Sequence, residues 1–298
     1  MALGEITQFN RIIELTIISD NGKEIKIPCP KKGRKPTIEI NATYASTNVL
    51  QPFNVTVMNL YLEDITQYAK IKLTLGYENN LVEMEGSITT IYQESPGPEG
   101  KTVIQCEYGG SMTSWLDATG QFYFEKGTLL SKVLDAIKEK IGANHVTIGD
   151  KAAKLSLEAP FEFDGTARGA MAELQKNFED KKLYVFLRND TLCALCITTE
   201  DYIASHKLEY TSAPVQPNAG TSDGSGGYMT VTAPWIPQLS IGDRLEIPAR
   251  VYMRYLTAVN KNAGSTIFMQ VSEMSIHFGT TRGVNSMTVK GPTMKGNK

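Results

Sequence analysis

Hydrophobicity with a period of two dominates both ends of this chain. Apolar and polar residues alternate from Ile12 to Ile18, Thr37 to Tyr44, Asn54 to Leu60, Ile71 to Tyr77, Leu81 to Tyr92 and Lys101 to Tyr108. The pattern returns after Val231, in the run from Tyr252 to Val259 and again between Met269 and Val289. Successive side chains of a strand point to opposite faces, so this period specifies sheets that bury one face. The punctuation agrees. Ser19-Asp20-Asn21-Gly22-Lys23 separates Ile12–Ile18 from Glu24–Ile27, and Asn-Gly supplies the positive φ angles of a tight hairpin. Glu78-Asn79-Asn80 forms the next turn, and Leu62-Glu-Asp-Ile, between Asn59 and Ala69, is a short helix or turn.

The period changes in the middle. Leu130, Val133, Leu134, Ile137 and Ile141 recur at helical spacing, with Thr128 as the expected cap and Gly142 as the stop. A second helix is expected from about Thr166 to Glu179, its stripe being Ala167, Ala170, Met171, Leu174 and Phe178. Lys154–Leu157, Leu183–Arg188 and Leu192–Thr198 are expected as strands, with Asn189-Asp190 turning the last hairpin. The fold class is therefore mainly β with an α+β insert. The expected divisions are residues 1–110 (first β domain), 111–210 (insert), 211–227 (a Gly/Ser/Pro-rich flexible linker or long loop) and 228–298 (second β domain), with a frayed tail from Gly291.

Composition excludes some functions. The 298 residues are 41% hydrophobic, enough for real cores, and the net charge of −2 argues against a basic nucleic-acid or membrane surface. The run Lys31-Lys32-Gly33-Arg34-Lys35 is short, lacks aromatics, and reads as a solvated loop contacting a neighbouring subunit. No signal peptide and no membrane-spanning segment are expected.

Chemistry-bearing residues are sparse. Cys193 and Cys196 lie in a strand pattern that turns them to opposite faces, and no second Cys/His pair completes a zinc site. They read as small buried hydrophobes, with Cys29 and Cys106 completing four reduced thiols. His145, His206 and His277 are scattered, and no Gly-x-Ser-x-Gly elbow is present. Glu83 with Glu85, and Glu162 with Asp164, have the spacing to share a strand face, as a glycosidase pair would, but such pairs are common on solvated sheets. A peptidoglycan hydrolase is the enzyme alternative. The reading preferred is no enzyme, no cofactor and no metal.

The segment Pro237-x-Leu239-x-x-Gly242-Asp243, then Tyr255–Val259, then Ile276-His277-x-Gly279-x-x-x-Gly283 resembles the C-terminal part of bacteriophage baseplate hub proteins. Leu75-Gly76-Tyr77, Glu85-Gly86-Ser87-Ile88, the loop Glu94–Gly100 and Thr102–Tyr108 resemble their first domain. Ser286 departs from the pattern, which often has Trp nearby. The resemblance implies two tail-tube-like β-barrel domains separated by the insert, and a homotrimer whose six such domains match a six-fold tail tube to a three-fold spike. It implies a tube ring, a spike or tail-tip protein and other baseplate proteins as partners, DNA passing through the channel, a virion tail location and assembly in the host cytoplasm. A tailocin-like injection machine or a non-contractile long tail is served by the same architecture. Trp235, Tyr252 and Arg254 are the candidate partner interface, because Trp, Tyr and Arg dominate interface hot spots. The alternative for these side chains is the core.

Overall fold

The computed structural model describes residues 11–19, 21–27, 37–45, 52–58, 70–78, 80–95, 100–108, 117–188, 191–197, 200–208, 216–218, 228–248, 266–280 and 285–295. The first region contributes β1 (Arg11–Ile18), β2 (Glu24–Ile27), β3 (Ile38–Ala45), β4 (Pro52–Met58), β5 (Lys70–Tyr77), β6 (Asn80–Ser95) and β7 (Lys101–Tyr108). The middle contributes β8 (Thr119–Phe124), α1 (Leu130–Ile141), β9 (His145–Ile148), β10 (Phe161–Thr166), α2 (Ala167–Asn177), β11 (Leu183–Arg188) and β12 (Thr191–Cys196). The remainder is β13 (Ser205–Lys207), β14 (Gln216–Asn218), β15 (Tyr228–Ala233), β16 (Arg244–Ile247), β17 (Ile267–Gln270), β18 (Glu273–Gly279) and β19 (Asn285–Lys295). The protein is mainly β with an α+β insert.

The two strand-rich regions share one ladder, ordered β13-β16-β17-β19-β18-β3-β4-β7-β6-β5-β1-β2, with β15 joining β19 and β14 joining β15. They meet where β3 lies antiparallel to β18, pairing Met274 with Tyr44 and Ile276 with Ala42. Beneath the ladder one apolar core takes Ile13, Leu73 and Ile104 from the first region and Val231, Phe278 and Val289 from the last. The β1–β2 hairpin forms as its sequence requires: Ser19 N donates to Lys23 O at 3.0 Å and Gly22 has φ 77°.

The insert has its own core. Leu130, Val133, Leu134, Ile137 and Ile141 of α1 and Ala167, Ala170, Met171 and Leu174 of α2 are buried together with one face of the β11-β12-β9 sheet. Gly142 ends α1 in the left-handed region at φ 74°. Thr166 caps α2, accepting from Gly169 N at 3.2 Å. Thr128 does not cap α1: its hydroxyl donates to Glu125 O at 2.7 Å, and Leu129 holds the cap position without a side-chain bond.

Other expectations are corrected. Lys154–Leu157 is not a strand, because a short 3-10 turn, Ala152–Lys154, precedes a single bridge between Ser156 and Leu129. Its alternating leucines are read differently: Leu155 O accepts from Leu130 N and Leu157 N donates to Thr128 O, so the segment braces the start of α1. Two strands of this region, β8 and β10, pair in full register, from Phe161↔Phe124 to Thr166↔Thr119. Within the expected linker, Gln216–Asn218 is a strand on β15, with Pro217 in an outer strand where a missing N–H is tolerated. The tail is ordered through Lys295, since β19 pairs with β15, β17 and β18. The Leu62–Ile65 segment, the basic run, the Asn189-Asp190 turn and the Tyr252–Val259 run lie outside the described residues.

Candidate assembly surface and the junction of the insert

Strand β12 is the wall between the two cores. Leu192, Ala194 and Cys196 face the helices of the insert, while Cys193 and Leu195 face the main body. The Cys-x-x-Cys pair is thus divided between two cores, as strand geometry demands. Burial pushes the Cys193 thiol up to about 12 and the Cys196 thiol up to about 11, and does the same to Cys106, to about 12. Protonated buried thiols are neither nucleophiles nor ready metal ligands. Cys29 lies outside the described residues.

The Pro237–Asp243 motif lies against this wall. Leu239 N donates to Ile236 O and Asp243 N to Ser240 O, folding the segment into two successive turns. Gly242 has φ 85°, and a Cβ there would sit 2.7 Å from Leu195 Cδ1 and 3.0 Å from Phe186 Cζ. Only glycine satisfies both the backbone angle and the close approach of the insert's sheet. The next residue, Asp243, is wholly buried and accepts from Ser240 N at 2.9 Å. Arg188, at the end of β11, grips it with Nη1 at 2.8 Å from Oδ1 and Nη2 at 3.4 Å from Oδ2. His206 Nε2 stands 3.3 Å from Oδ2, close by but without hydrogen-bond geometry.

A second buried acidic residue ties the insert to itself through its carboxylate and to the body through its backbone carbonyl. Asp201 accepts from the backbone N–H groups of Lys151, Ala152 and Cys196, at 3.0, 3.3 and 2.7 Å. Gln270 on β17 donates from Nε2 to the carbonyls of Cys196 and Asp201. Sequence reasoning missed Arg188, Asp201 and Gln270. The Gly-Asp of the motif was visible, but its partner arginine is 55 residues away and nothing local marks it.

Trp235 belongs to the interior of the chain's own core. It is 2% exposed, its ring meets Phe278 at 4.7 Å edge-on, and its backbone N donates to Asn285 Oδ1 at 3.3 Å. Tyr77, the aromatic of the Gly-Tyr signature, donates to the same Asn285 oxygen at 2.9 Å and packs edge-on to Phe278 at 5.9 Å. The signatures noted at the two ends of the sequence therefore meet around Phe278. Tyr252 and Arg254 lie outside the described residues.

The remaining candidates are dispersed. His145 is exposed on β9, and His277 is 4.0 Å from Glu39 on the neighbouring strand. Glu83 and Glu85 share an exposed face of β6, where Lys72 pairs with Glu85 at 2.8 Å. Glu162 and Asp164 share the exposed face of β10, and Gln121 donates to Asp164 at 3.0 Å. Among the described residues no group of three or more His, Cys, Asp or Glu side chains is placed to hold a metal, and no helix is long and apolar enough to cross a membrane.

No protein-family model and no curated protein matches the chain. Solved structures do. A tail protein from Neisseria meningitidis MC58 superposes with a TM-score of 0.55 at 10% identity, over 96% of this chain and 97% of that one. The 43 kDa tail protein of prophage MuSo2 from Shewanella oneidensis gives 0.56 at 11% identity, over 93% and 96%. The chain has the fold of phage tail proteins. A type VI secretion component of Escherichia coli, itself described as similar to bacteriophage T4 tail proteins, gives 0.56 at 7% identity over 90% of this chain and 76% of that one. The tail-protein fold thus spans both β regions and the insert together.

Proposed function

We propose that this chain is a structural baseplate hub subunit of a phage tail or a related injection machine. Three copies form a ring that joins a six-fold tail tube to a three-fold central spike and leaves a channel for DNA. The observation that carries this reading is the β3–β18 pairing, which sets two strand-rich regions edge to edge in one chain. Three such chains present six regions, so one ring answers six-fold symmetry on one face and three-fold symmetry on the other. The likeness in fold to tail proteins over nearly the whole chain supports it.

In this reading the partners are two further copies of the chain, the tube ring, a spike or tail-tip protein and neighbouring baseplate proteins. The site of action is the virion tail, after assembly in the host cytoplasm. The work is mechanical: the ring transmits symmetry and force, with no catalytic step. Mass photometry of the protein with its tube partner tests it, expecting a species of three hub chains. Zymography on cell-wall peptidoglycan separates it from a hydrolase, and a cleared zone that needs Glu83 or Glu162 would overturn it.

A further inference from the structure

We propose that the open edge of β8 docks an extended segment of a partner protein. The segment adds as a third strand to the β8–β10 ribbon, with Lys or Arg on its outer face and small apolar residues on its inner face. The cleft that receives it has a volume of about 360 Å³ and runs between β8 and α1. Its lining lies wholly within 117–188, a continuous stretch of described residues.

Strand β8 pairs with β10 and, among the described residues, with no other strand. Ala167 N donates to Ala118 O at 2.8 Å, one rung beyond the Thr166↔Thr119 pair. Bonded and non-bonded rungs alternate in an antiparallel ladder. Gly120, Phe122 and Phe124 therefore direct their backbone groups to β10, while Gln121 and Tyr123 direct theirs away from it. Gln121, Phe122, Tyr123 and Phe124 all line the cleft. Consecutive side chains point to opposite faces, so a cleft that touches all four runs along the backbone edge. An unpaired edge is the template for recognition by strand addition. Edges are ordinarily blunted by charge or proline. Thus β2 carries Glu24 and Lys26, β10 carries Glu162 and Asp164, and β14 carries Pro217. Thr119–Phe124 has no charge, no proline and no bulge.

The two sides of the edge select different side chains. On the inner side, Phe124 and Ala136 of α1 favour a small apolar residue that leaves water. The Lys140 stem already covers Gly120 there, since a Cβ on Gly120 would sit 2.8 Å from Lys140 Cε. On the outer side stands Tyr123, 66% exposed, the most exposed large apolar side chain among the described residues. Glu162 lies directly opposite it on β10, and Asp164 lies opposite Gln121. Neighbouring strands are about 4.8 Å apart, so a side chain abreast of Tyr123 on the added strand starts about 10 Å from Glu162. Lys or Arg reaches toward that carboxylate across the Tyr123 ring, gaining a cation–π contact on the way. Glu139 on α1 brings a third carboxylate to the border, against the single cation Lys140 in the lining. The outer face of the occupant is therefore basic.

The test is independent of the ring's stoichiometry. A random displayed peptide library is selected on the full-length chain, and enriched peptides are synthesised and titrated. The expected peptides alternate Lys or Arg with small apolar residues and protect the amides of Gln121 and Tyr123 from hydrogen exchange. Gln121→Pro deletes an N–H that lies outside the ladder, where proline is tolerated, and abolishes binding. Tyr123→Ser leaves the edge open, removes the ring, and weakens binding about ten-fold. Unchanged melting temperatures show that both variants keep the fold. The proposal is overturned if no peptide enriches above an unrelated control protein. It is equally overturned if enriched peptides bind Tyr123→Ser unchanged or leave the Gln121 and Tyr123 amides unprotected.

Discussion

Arg188 holds the wholly buried carboxylate of Asp243 through both guanidinium nitrogens, at 2.8 and 3.4 Å, while its own side chain stays 23% exposed. The pair fastens the end of β11, in the insert, to the Gly242-Asp243 corner of the body. Its two members differ in their access to water, and that asymmetry makes a prediction. Removing the arginine strands a charge that cannot reach solvent, whereas removing the carboxylate leaves a guanidinium that can. Breaking a buried pair costs roughly 3–5 kcal/mol. Arg188→Met is expected near the top of that range and Asp243→Asn clearly below it, by urea unfolding of each variant. Equal losses would contradict the asymmetry.

Trp235→Ala removes a ring that fills the subunit's own core against Phe278. Loss of a large buried aromatic costs about 3–5 kcal/mol. At roughly 2–4 °C per kcal/mol for a chain of this size class, the melting temperature falls by several degrees or more. Arg254→Ala is the contrasting variant for the proposed interface, with melting unchanged and particle assembly lost. Calorimetry together with assembly yield distinguishes the two behaviours.

Two glycines separate backbone angle from space. Gly22 has φ 77°, and a Cβ there would meet nothing within 4 Å, so Gly22→Ala carries only the left-handed penalty. That penalty is about 1–2 kcal/mol. A Cβ on Gly291 would sit 1.7 Å from Gln270 O, where β17 gives way to β18. No side-chain rotation relieves a clash with backbone, so Gly291→Ala must displace that corner and its pairing with β19. Thermal melts are expected to rank Gly291→Ala far below Gly22→Ala.

The buried thiols give a pH dependence with a definite sign. Cys106 and Cys193 are pushed up to about 12 in the folded chain, against about 8.5 for an unfolded thiol. The unfolded chain therefore releases these protons first as pH rises. Their stabilisation is complete below about pH 8.5 and is lost progressively up to about 12, with a limiting slope of roughly 1.4 kcal/mol per pH unit for each thiol. Urea midpoints measured from pH 8 to 10.5 should fall, and Cys193→Ala should flatten the decline.

The strands were legible wherever one face is buried and the other wet. Lys101–Tyr108 was readable to the residue, and the β5 and β6 runs nearly so, because alternation and the intervening turn record both face and ends. The same logic separated Cys193 from Cys196. What misled was alternation without a ladder. Leu155 and Leu157 alternate like a strand, yet they brace a helix start through two backbone bonds. Strands β8 and β10 carry glycines at Gly120 and Gly165 that dilute a short pattern. The junction was least legible. Asp243 sits in a motif, but Arg188 comes from another region, and only the packing of the insert on the body brings them together. Trp235 shows the limit for interfaces: the same residue types serve cores and contacts, and sequence alone does not assign the side.

The central claim is that one chain supplies two neighbouring units of a ring, so that three copies match six-fold symmetry. Cryo-electron microscopy of the assembled particle, counting copies of this chain in the ring between tube and spike, tests it most directly. The account predicts three copies, each with its β3–β18 seam intact and all in contact with one six-membered tube ring. A ring of six copies would contradict it.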